Sequence, residues 1–258
     1  GATEVSTARE MAEQCEIIHI CLGNSPQVEG VFHGDDGILA GAREGLIVVE
    51  CSTADPVSTM KLAAALEAKG GRLVDAPLGR TPKEAEEGTL DAMVGADDAS
   101  FARVLPVIEC WAGNINHLGP TGNGHKMKLL MNFISMGYAS LYAEATVLGA
   151  AVGIAPQQVQ KVIGGSRLSN GFFETFMRGC VGREAEVHKF TIQNANKDLR
   201  YVNSMAADAG VVNVVASAVR HYFNHVEAIG RGGDFVPFVT DHVARLNGMD
   251  MEDEVKKG

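Results

Sequence analysis

Two apolar, mostly β-branched runs constrain this chain most: Ile17-Ile18-His19-Ile20-Cys21-Leu22 and Leu46-Ile47-Val48-Val49-Glu50. Neither shows the alternation of a strand wetted on one face. Near-continuous apolar strands are buried on both faces, as in a parallel sheet covered by helices above and below. The flanking residues supply those helices. Thr7-Ala8-Arg9-Glu10 has the form of a capping box. Gly23-Asn24-Ser25-Pro26 ends the first run and starts a short helix, and Asp55-Pro56 opens an alanine-rich helix to about Lys69. Further strands are expected at 72–75, 90–94 and 114–118, with a helix at 98–109 between the last two. Strand and helix alternate, which predicts an α/β arrangement.

The alternation stops near Gly119. Residues 128–152 contain no proline and predict one helix of about 35–40 Å. More helices fit 156–163, 190–209 and 211–229, with glycine stops at Gly153, Gly210 and Gly230. The expected organisation is an α/β domain over 1–120 and an all-α domain over 121–258. A nucleotide-binding domain of the doubly wound type opens with strand, glycine-rich turn and helix. Here the first strand arrives at Ile17, and the turn after it is not GxGxxG. Roughly the first 40 residues of such a domain are therefore expected to lie upstream of Gly1.

Composition narrows the function classes. Hydrophobic residues at 46% and charged residues at 21% exclude a disordered chain. No apolar run approaches the roughly 20 residues of a membrane helix. A net charge of −10 without a basic cluster excludes nucleic-acid binding, while a local basic pocket still admits a small anionic substrate. Five cysteines, an odd number with no CxxC pair, and no signal peptide at the start predict a reducing, cytoplasmic setting.

Three segments carry candidate chemistry. Gly122-Asn123-Gly124 is a GxG between a strand and a helix, but position 127 is Met127 and no strand follows, so it reads as a flexible lead into a long helix. Lys128 and Asn132, four apart, share a helix face among Leu129, Leu130, Met131 and Phe133. A lysine there is either a surface stem or a functional amine. Asp75-Ala76-Pro77-Leu78-Gly79-Arg80-Thr81-Pro82 follows a strand at its carboxyl end, where α/β proteins hold ligands. Its Arg80 and Thr81 can donate to an oxyanion, or the segment is an ordinary turn with a solvated arginine. His221 and His225, also four apart, lack further ligands and read as a helix face, with no metal expected.

Taken together these blocks resemble the β-hydroxyacid dehydrogenase family, which includes 3-hydroxyisobutyrate dehydrogenase. Asp75-Ala76-Pro77 followed by Gly88-Thr89-Leu90 is similar to its DAPVSGG…GTL segment. Gly122-x-Gly124-x-x-x-Lys128-x-x-x-Asn132 is similar to GxGxxxKxxNN, and Phe190 with Lys197-Asp198-Leu199 to F…KDL. The resemblance spans essentially the whole chain. It implies a Rossmann-type domain joined by a long helix to an all-α domain that binds substrate and dimerises. It also implies hydride exchange between NAD or NADP and a small β-hydroxy acid or its aldehyde. On this resemblance Lys128 is catalytic. Gly79, Arg80, Thr81, Asn132 and Ser135 bind substrate, Leu22, Thr53 and Lys197 contact the cofactor, and the protein forms a homodimer or homotetramer.

The sequence departs from the family at three points. Gly79-Arg80-Thr81 replaces Ser-Gly-Gly and resembles the sulfolactaldehyde reductase branch, where this loop holds a sulfonate. Met131-Asn132 replaces the paired asparagines, and the opening glycine-rich turn is absent. Two readings follow: a reductase of a sulfonated or otherwise anionic aldehyde, or a non-catalytic, cofactor-deficient dimerising relative.

Overall fold

The computed structural model describes all 258 residues. They form two compact units. The first comprises residues 1–130 and 204–210, the second 131–203 and 211–258.

In the first unit, α1 (Ala8–Gln14), α2 (Ser25–Phe32), α3 (Ile38–Gly41) and α4 (Pro56–Glu67) alternate with β1 (Ile17–Ile20), β2 (Ile47–Glu50) and β3 (Arg72–Asp75). The three strands form a parallel sheet in the order β1-β2-β3, with Ile20 opposite Glu50 and Glu50 opposite Asp75. The unbroken apolar character of β2 follows from where its side chains go. Val48 packs with Val28, Phe32, Leu62 and Leu66 in a core under the helices. Ile47 and Val49 pack with Val74, Ala92, Val94, Val104 and Ile108 in a second core. Successive residues point to opposite faces, so a strand between two cores has no polar side.

The second core is closed by β4 (Leu78–Gly79), β5 (Leu90–Val94), α6 (Asp98–Ile108) and β6 (Ala112–His117), while α5 (Pro82–Glu86), between β4 and β5, buries no residue. Here the sheet departs from an all-parallel expectation. β4 pairs antiparallel to β5, β5 pairs parallel to β6, and one antiparallel bridge between Asp75 and Gly95 links this sheet to β3.

A helix of 29 residues follows, α7 (Asn123–Ala151), beginning five residues earlier than its apolar pattern suggests. In the second unit it contributes Met136, Ala139, Ala143 and Val147 to a core shared with α9 (Gly171–Cys180), α10 (Ile192–Asp208), α11 (Val214–Ala228), α12 (Val239–Leu246) and α13 (Met251–Lys256). The short α8 (Pro156–Gly164) packs its Val159 and Ile163 against the same core. Phe173 and Phe176 are interior, whereas Val211, Val212, Val214 and Val215 are exposed, and α11 begins only at Val214. No helix is long and apolar enough to cross a membrane.

Candidate active site

The site is built on the carboxyl edge of the first sheet and on α7. β2 and β3 end in acidic residues, Glu50 and Asp75, both almost wholly buried. Isolated charges there would cost several kcal/mol each, so their partners matter. Asp75 Oδ1 accepts the N–H of Gly122 at 2.5 Å, and Oδ2 accepts that of His125 at 2.7 Å. These are unpaired donors of the first turn of α7, and an anion is favoured at that end of a helix. Burial raises the Asp75 carboxyl above the usual range, and the charge of His125 and these two N–H bonds offset it only partly.

Gly124 is required by this seating. A Cβ on it would stand 2.2 Å from the Met93 carbonyl and 2.9 Å from that of Asp75. Gly122 adopts φ +94. The Gly-Asn-Gly segment is thus a close-packed helix seat and not the flexible lead its composition suggests.

His125 has no exposed surface. Its Nε2 lies 3.1 Å from Glu50 Oε2, an ion pair whose N–H is not aimed squarely at the oxygen. Its Nδ1 lies 2.8 Å from Thr59 Oγ1. The Thr59 hydroxyl gives its one hydrogen to the Asp55 carbonyl, so toward His125 it accepts. Both ring nitrogens therefore face acceptors, the pattern of an imidazolium. Burial opposes that charge, but Glu50 and Asp75 outweigh it and raise the His125 pKa. Burial likewise opposes the charge of Glu50, and the contact with His125 holds its carboxyl below the usual range. Sequence reading passed over Glu50 and His125, because Glu50 stood as the last residue of a strand run and His125 at an unassigned position of the Gly122-to-Asn132 segment.

Lys128, half-buried, stands one helical turn beyond His125 on α7. Asn132 stands one turn further, and its Nδ2 donates to Asp198 Oδ2 at 2.6 Å. Asp198, also buried, pairs through Oδ1 with Lys197 Nζ at 3.2 Å. Within the second unit the structure thus joins two expected site residues, Asn132 and Lys197, through a third that sequence reading gave no role. Ser135 turns its hydroxyl back to the Met131 carbonyl.

The Arg80 loop is engaged by its own neighbours. Arg80 Nε donates to Asp91 Oδ1 at 2.9 Å, and its backbone holds φ +79. Thr81 Oγ1 donates to Glu84 in the capping box of α5. Gly79 lies in β4, where a Cβ would reach 3.0 Å from the Asp91 Cβ. Its glycine character is thus accounted for by strand packing.

At the ends of β1 and β2 the Leu22 N–H donates to Ser52 Oγ at 2.7 Å. Leu22 is 37% exposed and Thr53 half-buried. An exposed apolar residue and a threonine thus lie at the carboxyl edge of a parallel sheet, the edge where α/β proteins hold their ligands.

This arrangement defines an α/β unit with ligand-holding strand ends followed by helices, and comparison with known proteins identifies its class. Residues 1–119 match the NAD binding domain of 6-phosphogluconate dehydrogenase. Residues 122–240 match the family described as NAD-binding of NADP-dependent 3-hydroxyisobutyrate dehydrogenase. A 2-(hydroxymethyl)glutarate dehydrogenase of Eubacterium barkeri is 31% identical over 90% of this chain and 77% of its own length. A 3-sulfolactaldehyde reductase of Escherichia coli is 31% identical over 90% and 78%. Among solved structures, 3-hydroxyisobutyrate dehydrogenase of Mycobacterium tuberculosis superposes with a TM-score of 0.82 over 93% of this chain and 83% of its own, at 24% identity. The chain belongs to the β-hydroxyacid dehydrogenase family and is an NAD(P)-dependent oxidoreductase.

Proposed function

We propose that the protein exchanges hydride between a nicotinamide cofactor and a small anionic aldehyde or its β-hydroxy acid, with a sulfonated aldehyde as the preferred substrate. The observation that carries this reading is the seating of Lys128. It stands one turn beyond a buried charged anchor, at the sheet edge where α/β proteins hold their ligands. In reduction Lys128 donates a proton to the carbonyl oxygen as hydride reaches the carbon. Such general-acid help contributes roughly 10²–10⁴-fold. Asn132 anchors the substrate, with Ser135 one turn along the same helix. Leu22 and Thr53 line the nicotinamide, which supplies the hydride when bound, and Lys197 contacts the cofactor. The first unit is then the dinucleotide-binding unit and the second the substrate and dimerisation unit.

Arg80 supports the sulfonate preference. Its Nε is held by Asp91, which fixes the guanidinium plane and leaves the two terminal nitrogens as the donors for an anion. Thr81 contributes to this loop as the cap of α5, since its single hydroxyl hydrogen is directed at Glu84. The relative named 3-sulfolactaldehyde reductase supports the same preference.

Self-association is part of the proposal. Leu141, Leu148 and Val152 of α7 and its end, with Val162, Leu168 and Val212, are all more than 60% exposed on the second unit. Apolar surface on this scale marks an interface. Sedimentation at micromolar concentration is expected to show a dimer or tetramer.

The deciding experiment follows NADH and NADPH oxidation with 3-sulfolactaldehyde, 2-hydroxy-3-oxopropionate and succinic semialdehyde, in the parent and in Lys128→Ala. Turnover highest on the sulfonated aldehyde and abolished in the variant is expected. Near-parental kcat in a folded Lys128→Ala protein would overturn the assignment of the proton donor.

A further inference from the structure

A continuous set of contacts runs inside the first unit from the proposed nicotinamide edge to the helix that carries Lys128. It starts at the Leu22 N–H, which donates to Ser52 Oγ at 2.7 Å. The Ser52 N–H donates to Glu50 Oε1 at 2.8 Å. The other Glu50 oxygen pairs with His125 Nε2 at 3.1 Å. The opposite ring nitrogen is held by Thr59 on α4, and the His125 backbone N–H by Asp75 at the end of β3. Every polar side chain from Glu50 to His125 is buried. Water therefore competes little with the contacts from Glu50 to His125, and these stay strong for that reason.

A buried imidazolium is an expensive way to fasten a helix, since apolar packing of the same volume is often as stable. What it adds is direction. Apolar side chains permit a helix to slide or rotate by small steps. An imidazolium between a carboxylate, a hydroxyl and a second carboxylate permits one orientation. The residue so fixed lies three positions before Lys128, and fewer than four residues make a full turn of helix.

We propose that His125 is a positioning residue for catalysis: clamped by Glu50, Thr59 and Asp75, it fixes the rotation of the first turns of α7 and so holds the Lys128 amine in register with the strand ends at Leu22 and Ser52. The clamp itself is independent of any reading of Lys128. Its consequence for turnover rests on the assignment of Lys128 made above.

The test uses the full 258-residue chain and two readouts. Amide hydrogen exchange is compared in the parent, His125→Leu, His125→Gln, Glu50→Gln and the Glu50→Gln/His125→Gln pair. Residues 122–129 are expected to exchange at least about tenfold faster in each folded single variant, with α9 in the second unit unchanged. The double variant replaces an ion pair by a neutral amide pair, so it is expected to exchange no faster than the worse single variant. Kinetics with NADH and the best aldehyde of the panel are expected to show kcat falling about tenfold or more, with KM for the aldehyde changing less than about threefold. Thr59→Val, which removes one partner of the ring without removing a charge, serves if the other variants do not fold. Unchanged exchange at 122–129 in a folded variant, or an equal rise throughout the first unit, would overturn the clamp. Parental kcat in a His125 variant while Lys128→Ala remains inactive would overturn the positioning role alone. Retained turnover in Lys128→Ala would instead refute the proton-donor reading and leave the exchange result standing.

Discussion

Asn132 and Asp198, 66 positions apart in the chain, meet across 2.6 Å, with the amide nitrogen donating to a buried carboxylate. A carboxylate only accepts, so this contact fixes which prong of the amide faces inward and leaves the carbonyl prong on the other side. The same carboxylate holds the Lys197 ammonium. The residue proposed above as substrate anchor and the one proposed as cofactor contact thus depend on one side chain.

Asp198→Ala is therefore expected to act on both ligands at once. The Asn132 amide loses its orientation, raising KM for the aldehyde. Lys197 loses its partner, weakening NADH binding. Stability falls by about 1.5–3 kcal/mol, the range for a hydrogen bond to a charged group. Urea unfolding and a nicotinamide fluorescence titration measure these effects. A change in substrate KM with unaltered NADH affinity would show that Lys197 acts independently of Asp198.

How much of this was legible beforehand differs between fold and site. The strands β1 to β3 were readable because two cores demand apolar residues at Ile47, Val48 and Val49 of β2. β4 was not: two residues carry no period, and their pairing is set by Asp91 and Ala92 from across the loop. α9 was not among the expected helices, although Asn170 caps it and Phe173, Phe176, Met177 and Cys180 form its buried face. The valines at 211–215 suggested helix, yet Val211 and Val212 precede α11 in an exposed turn. In the site, Lys128 and Asn132 showed themselves by spacing within one helix. Glu50, Thr59, His125 and Asp198 did not, because each acquires its meaning from a partner on a different element. The Arg80 loop was legible as a candidate anion grip, but not its ties to Asp91 and Glu84.

Two glycines give opposite expectations. Gly124→Ala places a Cβ 2.2 Å from a backbone carbonyl that cannot swing away. It is expected to cost about 1–3 kcal/mol by overpacking, or to prevent folding. Gly30→Ala, in α2, meets nothing within 4 Å. It is expected to add about 0.5–1 kcal/mol, the usual difference between glycine and alanine inside a helix. Melting temperatures of the two variants, moving in opposite directions from the parent, check the pair.

The buried cluster sets a pH dependence whose sign can be worked out. The folded-state pKa of His125 is raised above the ordinary histidine value near 6.5. Its charge therefore stabilises the fold fully below that value, and this contribution is lost as pH rises through the raised one. Asp75, raised by burial, acts in the same direction. Glu50 is lowered, so its contribution is lost only on acidification below the usual carboxylate range. Cys21 and Cys51 lie near Glu50, and burial together with that charge keeps both thiols protonated beyond their ordinary value. The melting-temperature advantage of the parent over His125→Gln is thus expected to shrink over the interval above about pH 6.5, as pH rises through the raised value. An advantage that grows over that interval would mean the imidazole is neutral in the fold.

Arg80 separates stability from selectivity. Its backbone holds φ +79, a conformation that a side chain disfavours by about 1 kcal/mol or more. Its bond to Asp91 is a largely exposed ion pair, of a kind that contributes about 0–1 kcal/mol. Arg80→Gly removes both, so stability is expected to stay level or rise slightly. On the function proposed above, the substrate also loses its cationic partner. A sulfonate presents three oxygens to the terminal guanidinium nitrogens, and a charge-assisted hydrogen bond contributes about 1.5–3 kcal/mol, tenfold or more in affinity. Arg80→Gly is therefore expected to raise KM for 3-sulfolactaldehyde by at least about tenfold while changing KM for succinic semialdehyde much less. Parallel steady-state kinetics and thermal melts on the one variant read both effects. Equal changes in the two KM values would assign Arg80 to the surface pair with Asp91 alone, and with it the sulfonate preference would fall.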